Sequence, residues 1–323
     1  MCRFINSPQF ARSGAATIGA VAGIVYPKSM SAAVEQALAL IRDRHPDSID
    51  KALGLLQNTV FSFSMKVCGH PEDAEDTMQE VLLKSIPHLP NFESSRALAV
   101  WLYKVARNRC ISNRRPEKNS AGRNISLEEL MPDEAELREL VSNFPSPEAA
   151  ALSGEGADHL RQALDAVSPA YRMVLVLHDM EELRTAEVAQ VLRLREGTVR
   201  VRLHRARLLV RRELANVARG GKLQTHRLQA TAQSRRPEHC RPLFATLSDY
   251  IDGLVDDAVC EQMDRHIADC EPCQAFLSSL KQAVERCRSY RPACNSRRAE
   301  QLRRELMAKY HDAVSALQAQ AQR

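Results

Sequence analysis

Near the C-terminal end of this 323-residue chain, His266, Cys270 and Cys273 stand in an H-x3-C-x2-C arrangement. His266 and Cys270 are four residues apart, hence on one helical face. Pro272 turns the chain so that the Cys273 thiolate points back towards them. Three such donors suit tetrahedral zinc, which needs a fourth ligand. Cys240, at the start of the preceding helix, is the best candidate, with His239 as the alternative. The competing reading is a set of buried free thiols in a helical hairpin. With four protein ligands the zinc keeps no open position for substrate, so its role is structural or redox-sensing.

A second group of residues could bind anions. From Arg184 to Leu214 the sequence RTAEVAQVLRLREGTVRVRLHRARLLVRREL predicts two short helices joined by a tight turn, with Thr185 capping the first. Val199, Leu203, Ala206, Leu209 or Val210, and Leu214 make one apolar stripe on the second helix. Arg200, Arg202, His204, Arg205, Arg207, Arg211 and Arg212 occupy its other faces. Residues 193–212 hold eight arginines against the single acid Glu196, a local net charge of +7 where the whole chain carries only +5. A basic helix presented by a tight turn fits a DNA major groove, where arginine bonds guanine edges and phosphates. The simpler alternative is a solvated basic helix.

The elements that position these groups are helical throughout. The chain is 44% hydrophobic, 26% charged and only 5% aromatic, and it lacks alternating Val/Ile-rich runs, so the expected fold class is all-α. The nine cysteines are unevenly spread, which favours a metal site over a disulfide framework. The longest uncharged apolar run, Ala15 to Tyr26, is too short to span a bilayer. A cytoplasmic, non-membrane protein is expected, with residues 1–33 as a disordered extension. No nucleophile-base-acid set, phosphate loop or open metal site points to an enzyme.

Ile49, Leu53, Leu56, Val60, Phe63 and Val67 step by three and four, predicting a helix ended by Gly69, and Pro71 opens another. That next helix carries five acids, Glu72, Asp73, Glu75, Asp76 and Glu80, and no base among them. Acids in a first turn favour the helix dipole. Asp76, Gln79 and Glu80 extend the polar face further, as docking on a basic partner would require. After Pro87 and Pro90 an exposed loop, PNFESSRALAV, leads to WLYKVARNRCISNRRP. Trp101 there, with Lys104, Arg107, Asn108, Arg109, Arg114 and Arg115, suits melted DNA, whose unstacked bases need a platform and whose phosphates need cations. A core tryptophan beside a basic face is the alternative.

Taken together, DAEDTMQEV, NFESSRALAVWLYKVARNRCISNRR and SPAYRMVLVLHDMEELRTAEVAQVLRLREGTVRVRLHRAR resemble a bacterial sigma factor of the extracytoplasmic-function (ECF) type, over about residues 49–214. The resemblance implies that Asp73, Asp76, Gln79 and Glu80 contact core RNA polymerase. It implies that residues 91–115, with Asn91, Trp101, Lys104, Arg107, Asn108, Arg114 and Arg115, handle the −10 promoter element. Residues 198–207, with Thr198, Arg200, Val201, Arg202, His204, Arg205 and Arg207, would read the −35 element. The sequence departs from the family at Arg193, where a small residue such as glycine is usual in the turn, and at Ala99 and Val100, where a polar pair is usual before the tryptophan.

Cys240, Tyr250 to Gly253, His266, Cys270 and Cys273 are similar to the zinc-binding anti-sigma domain. The resulting organisation is region 2 at 34–115, a linker at 116–157, region 4 at 158–219, a tether at 220–237, a zinc domain at 238–295 and a helical tail at 296–323. The partners implied are core polymerase and promoter DNA, with an intramolecular contact between the zinc domain and the sigma domains. An autonomous helix-turn-helix regulator is the competing function, but it has no need of the acidic ridge.

Overall fold

The computed structural model describes residues 30–43, 45–113, 127–132, 136, 156–218, 240–292, 294 and 297–321, and over these it is all-α. In chain order the helices are α1 (Met30–Asp43), α2 (Pro46–Cys68), α3 (Pro71–Ser85), α4 (Ser95–Asn113) and the single turn α5 (Leu127–Leu130). Next come α6 (Gly156–Ala166), α7 (Pro169–Leu175), α8 (Thr185–Leu192) and α9 (Glu196–Ala218). The C-terminal third supplies α10 (Arg241–Ile251), α11 (Asp257–Asp269), α12 (Glu271–Ser289) and α13 (Arg297–Ala321). The described residues divide into two compact units, the first drawn from 30–113, 176–195 and 290–321, the second from 127–175 and 196–289.

In the first unit α2 is the central helix, packed by α1, α3, α4 and α13. Pro46 opens it, and Gly69 closes it in the left-handed region at φ 82°, its N–H bonded to Met65 O at 3.0 Å. The expected stripe of Ile49, Leu53, Leu56, Val60, Phe63 and Val67 is buried. Helix α4 starts at Ser95, so the segment RALAV before Trp101 is helical, not loop. Ser94 explains the early start: its Oγ accepts from Ala97 N and its carbonyl from Leu98 N, an N-cap that lets Leu98 and Ala99 bury.

Residues 176–180 form a π-turn and Glu182 sits at φ 58°, which brings Glu181 inward. There the Lys66 ammonium donates to Glu181 Oε1 at 2.7 Å and the Tyr103 hydroxyl to Oε2 at 2.8 Å, with all three side chains buried. Cys68 and Cys110 are joined by a disulfide across α2 and α4, Cα to Cα 5.9 Å, so the cysteine usage is not confined to a metal site. The tail helix α13 lays Leu302, Leu306 and Tyr310 against this unit, on α2, α3 and the 3-10 turn Ile86–Asn91.

In the second unit α9 is central, with α6 and α7 on one part and α10, α12 and α5 on others. Ser168 accepts from Arg172 N and Pro169 takes the first position of α7. The buried Arg172 guanidinium is satisfied by Asp165 Oδ1 at 2.9 Å and by the Asp165 and Val167 carbonyls. Among the described residues no helix is long and apolar enough to cross a membrane.

Because Glu181 is shielded from water, removing its cation leaves an uncompensated buried charge. Lys66→Ala is expected to cost about 3–5 kcal/mol, and Tyr103→Phe about 1–2 kcal/mol, measured by chemical denaturation of the full chain.

Candidate nucleic-acid interface and metal centre

Cys240 is the N-cap of α10, His266 lies in the last turn of α11, Cys270 is the C-cap of α11, and Cys273 is in the first turn of α12. One ligand atom from each falls within 4.8 Å of all the others. Cys240 Sγ to His266 Nε2 is 3.5 Å, His266 Nε2 to Cys273 Sγ 3.2 Å, and Cys273 Sγ to Cys240 Sγ 3.5 Å. A zinc tetrahedron with bonds of about 2.0–2.3 Å has edges of roughly 3.5–3.8 Å, so this donor set fits the ion in type and spacing. Burial and the neighbouring thiols push Cys273 far above the ordinary thiol range, and burial pushes Cys240 up. A divalent cation reverses that logic by stabilising thiolates. Cys240 is brought into the cluster, and His239 lies outside the described residues.

The Tyr-Ile-Asp-Gly stretch ties this centre to the basic helix. Tyr250 is fully buried and its hydroxyl donates to Asp264 Oδ1 at 2.6 Å, fixing α10 on α11. Gly253, at φ 68°, takes the left-handed turn that lets Leu254 N reach Asp249 O at 2.8 Å. Asp252 thereby meets Arg207: Nη1 donates to Oδ2 at 2.9 Å and Nη2 to Oδ1 at 2.8 Å, a bidentate pair. Arg207 Nη1 also reaches Ser248 O at 3.3 Å, and the residue is only 1% exposed.

His204 Nδ1 is 2.9 Å from Ser248 Oγ, and its ring meets Phe244 edge-on at 5.9 Å. Burial, helped by Arg207 and Arg205, pushes its pKa from 6.5 down to about 4, so the ring is neutral. Arg211 is also buried, paired with Glu136 and stacked 4.4 Å over Phe276. The sequence pattern alone placed none of these acids opposite the arginines.

Of the residues expected at the −35 element, Thr198, Arg200 and Val201 are exposed, and Arg202 and Arg205 are half-buried. Arg205 donates to the Tyr171 hydroxyl at 3.4 Å. His204 and Arg207 face α10 in this state and are turned away from solvent. The turn before α9 has Arg193 in the left-handed region (φ 55°, ψ 46°), the geometry for which a glycine is usual. Helix α8 begins at Thr185 itself, with Arg184 as N-cap and Glu187 Oε2 accepting from Arg184 N at 2.9 Å, so Thr185 is not the cap.

Asp73, Asp76, Gln79 and Glu80 share the half-exposed face of α3, while Ala74, Thr77, Met78 and Val81 bury. Glu80 takes Lys84 at 2.6 Å and Arg109 at 2.8 Å, and the Lys84 hydrogen bond holds its carboxyl below the usual range. Arg298 of α13 reaches Asp76 Oδ1 at 2.6 Å, Gln79 Oε1 at 3.4 Å and Glu75 Oε2 at 3.7 Å. Asn91 is exposed at the end of the 3-10 turn. Trp101 is half-buried, edge-on to His88 and Phe92 at 5.9 and 6.1 Å. Asn108 is exposed, Lys104 is half-buried, and Arg107 is half-buried with a pKa lowered by burial and by Arg193. Arg114 and Arg115 lie outside the described residues.

Comparison with known proteins agrees with this geometry. The family model for sigma-70 region 2 matches residues 54–119, that for sigma-70 region 4 matches residues 158–210, and a zinc-finger model matches residues 240–274. The ECF RNA polymerase sigma factor SigW of Bacillus subtilis is 24% identical over 191 residues, which cover 58% of this chain and all of SigW. RNA polymerase sigma-H factor of Pseudomonas aeruginosa is 26% identical, covering 50% of this chain and 84% of that protein. The ECF sigma-E factor of Escherichia coli is 26% identical, covering 42% and 70%. An acidic helix, an aromatic-basic helix and a helix-turn-helix in this order define a sigma-70-type sigma factor. More narrowly, the chain belongs to the ECF sigma factors and carries a fused anti-sigma-like zinc-finger domain. Such proteins are not, in general, catalysts.

His204 makes the packing of α10 on α9 depend on pH. Freed from α10 the ring regains its ordinary value of 6.5, so between pH 6.5 and about 4 the separated state binds a proton that the packed state excludes. Packing should be undiminished above that window, weaken as pH falls through it, and level off below. Thermal unfolding of wild type and His204→Gln across this range should show a difference that shrinks as pH falls.

Proposed function

We propose that this sigma factor directs RNA polymerase to its promoters under restraint from its own C-terminal third, which occupies residues that both partners need. The observation that carries the proposal is Arg298 on Asp76 and Gln79, with Glu75 beside them. Asp76 and Gln79 are among the residues that the family resemblance assigns to core polymerase. A guanidinium of the tail helix there competes with basic groups of the enzyme for the same carboxylates. Arg303 on Asp50 at 3.3 Å and Gln57 Nε2 on Ala299 O at 2.5 Å extend the same docking along α2.

The zinc domain acts on the other DNA-binding element. Asp252 and Ser248 hold Arg207 and His204 of α9, leaving Thr198, Arg200, Val201 and Arg202 as the side chains available to the −35 element. Asn91, Trp101, Lys104, Arg107 and Asn108, with Arg114 and Arg115, would serve the −10 element. Cys240, His266, Cys270 and Cys273 would hold one zinc, which cross-links three short helices whose own core is small. Thiolate ligands are oxidisable, so oxidation or chelation is the signal that loosens the restraint. Because tail and sigma body are one chain, contact is intramolecular, and individually weak pairs suffice.

Three forms of the protein test this against core polymerase: the full chain, a truncation after Ala218, and Arg298→Glu. The truncation is expected to bind core at least about 10-fold more tightly and to initiate transcription without oxidant. Arg298→Glu, which replaces an exposed attraction by repulsion, should gain about 5-fold. Equal affinity and equal transcription by full chain and truncation would end the restraint proposal.

A further inference from the structure

The segment between regions 2 and 4 reads as a loose strap, yet its described middle part is buried. Leu130 is 5% and Met131 9% exposed, and Pro132 is buried with them. What covers them is specific. Met131 and Pro132 line an apolar cavity of about 50 Å³ whose other walls include Phe244 and Met263, together with His266 and Cys273 of the metal cluster. Its lining is almost wholly apolar and offers a water few polar partners, so the space is not a good site for one. The linker residues therefore complete the dry side of the thiol cluster.

A second, polar contact lies a few residues on. Glu136 pairs with Arg211, and Arg211 in turn stacks over Phe276, which lines the same cavity. Arg211 is 4% exposed, so its charge is satisfied from the linker on one side and by an aromatic face of the zinc domain on the other. Linker, basic helix and zinc domain thus converge on one small apolar space, all within one compact unit.

We infer that the zinc domain is also a clasp for the interdomain linker: Leu130 to Pro132 form a lid over the metal cluster, so that metal occupancy and linker capture stabilise each other. This rests on the zinc reading given above. Loss of the ion frees α10, α11 and α12 from their common cross-link and disperses the cavity wall against which Met131 sits. Withdrawal of the linker opens the cluster to water and to competing ligands. The coupling is reciprocal by thermodynamic necessity. A sigma factor whose linker is clasped cannot extend it between two separately docked domains, so the clasp restrains the linker itself.

The test uses zinc-loaded full-length protein, with zinc counted per chain, and the variants Met131→Asp and Glu136→Gln. Zinc transfer to a chromogenic chelator should be about 5-fold or more faster for Met131→Asp, and faster to a smaller extent for Glu136→Gln. Hydrogen exchange at the Leu130 and Met131 amides should accelerate once zinc has been removed from the wild type. Glu136→Gln replaces a partly exposed carboxylate by its isostere, so it keeps the measurement meaningful if Met131→Asp folds poorly by circular dichroism. One zinc per chain with unchanged release in Glu136→Gln and unchanged exchange at the Leu130 and Met131 amides after chelation would overturn the clasp and leave the metal assignment standing. A chain that binds no zinc would remove both, while polymerase inhibition by the tail is read independently through Arg298→Glu.

Discussion

Two parallel hydrogen bonds between Arg207 and Asp252 decide how the second compact unit is built. A guanidinium that is 1% exposed is tolerable only with its donors met, since an isolated buried charge costs several kcal/mol. Asp252 can meet them because Gly253 turns the chain directly after it and because Tyr250, two residues earlier, anchors α10 to Asp264 of α11. The helix that carries Asp252 at its C-terminal end carries Cys240 at its N-terminal end. One short helix therefore reports on the basic helix at one end and on the metal cluster at the other, about 12 residues and 18 Å away along an α-helix.

This arrangement divides α9 into two functional halves. Its first turns keep Thr198, Arg200 and Val201 in solvent, where a major groove could receive them. Its later turns bury His204, Arg207 and Arg211, each paired with a residue from another segment. The same economy governs the first unit, where acids of α3 meet Arg109 from α4 and Arg298 from the tail. In both units these charges are met internally by charges of opposite sign, which is the resting state that the proposed restraint requires.

Much of this was legible in the sequence, because the signals were local. Pro46, Gly69 and Pro71 punctuate the helices where backbone sterics require it, the stripe on α2 follows its period, and the four metal donors lie at spacings that helical geometry brings together. Arg207 and Arg211 were not legible as buried groups. An arginine on a helix reads as a surface charge until its acid is known, and Asp252 is 45 residues away and Glu136 75. Arg298 and Asp76 are 222 residues apart, beyond any periodicity argument. The Cys68–Cys110 bond, spanning 42 residues between helices of unrelated pattern, left no trace either. The start of α4 was misjudged for the opposite reason: a serine-rich stretch reads as loop, whereas Ser94 is the cap that begins a helix.

The buried trio of Lys66, Tyr103 and Glu181 has a consequence for opening the molecule. An ion pair taken out of water recovers much of its electrostatic gain as rehydration when it separates, so its net contribution to holding two segments together is modest even though its geometry is exacting. Such a pair acts as a keyed joint: only one alignment satisfies it, yet separating it costs less than its geometry suggests. A purely aliphatic seam at the same place would grip harder and let go less cleanly.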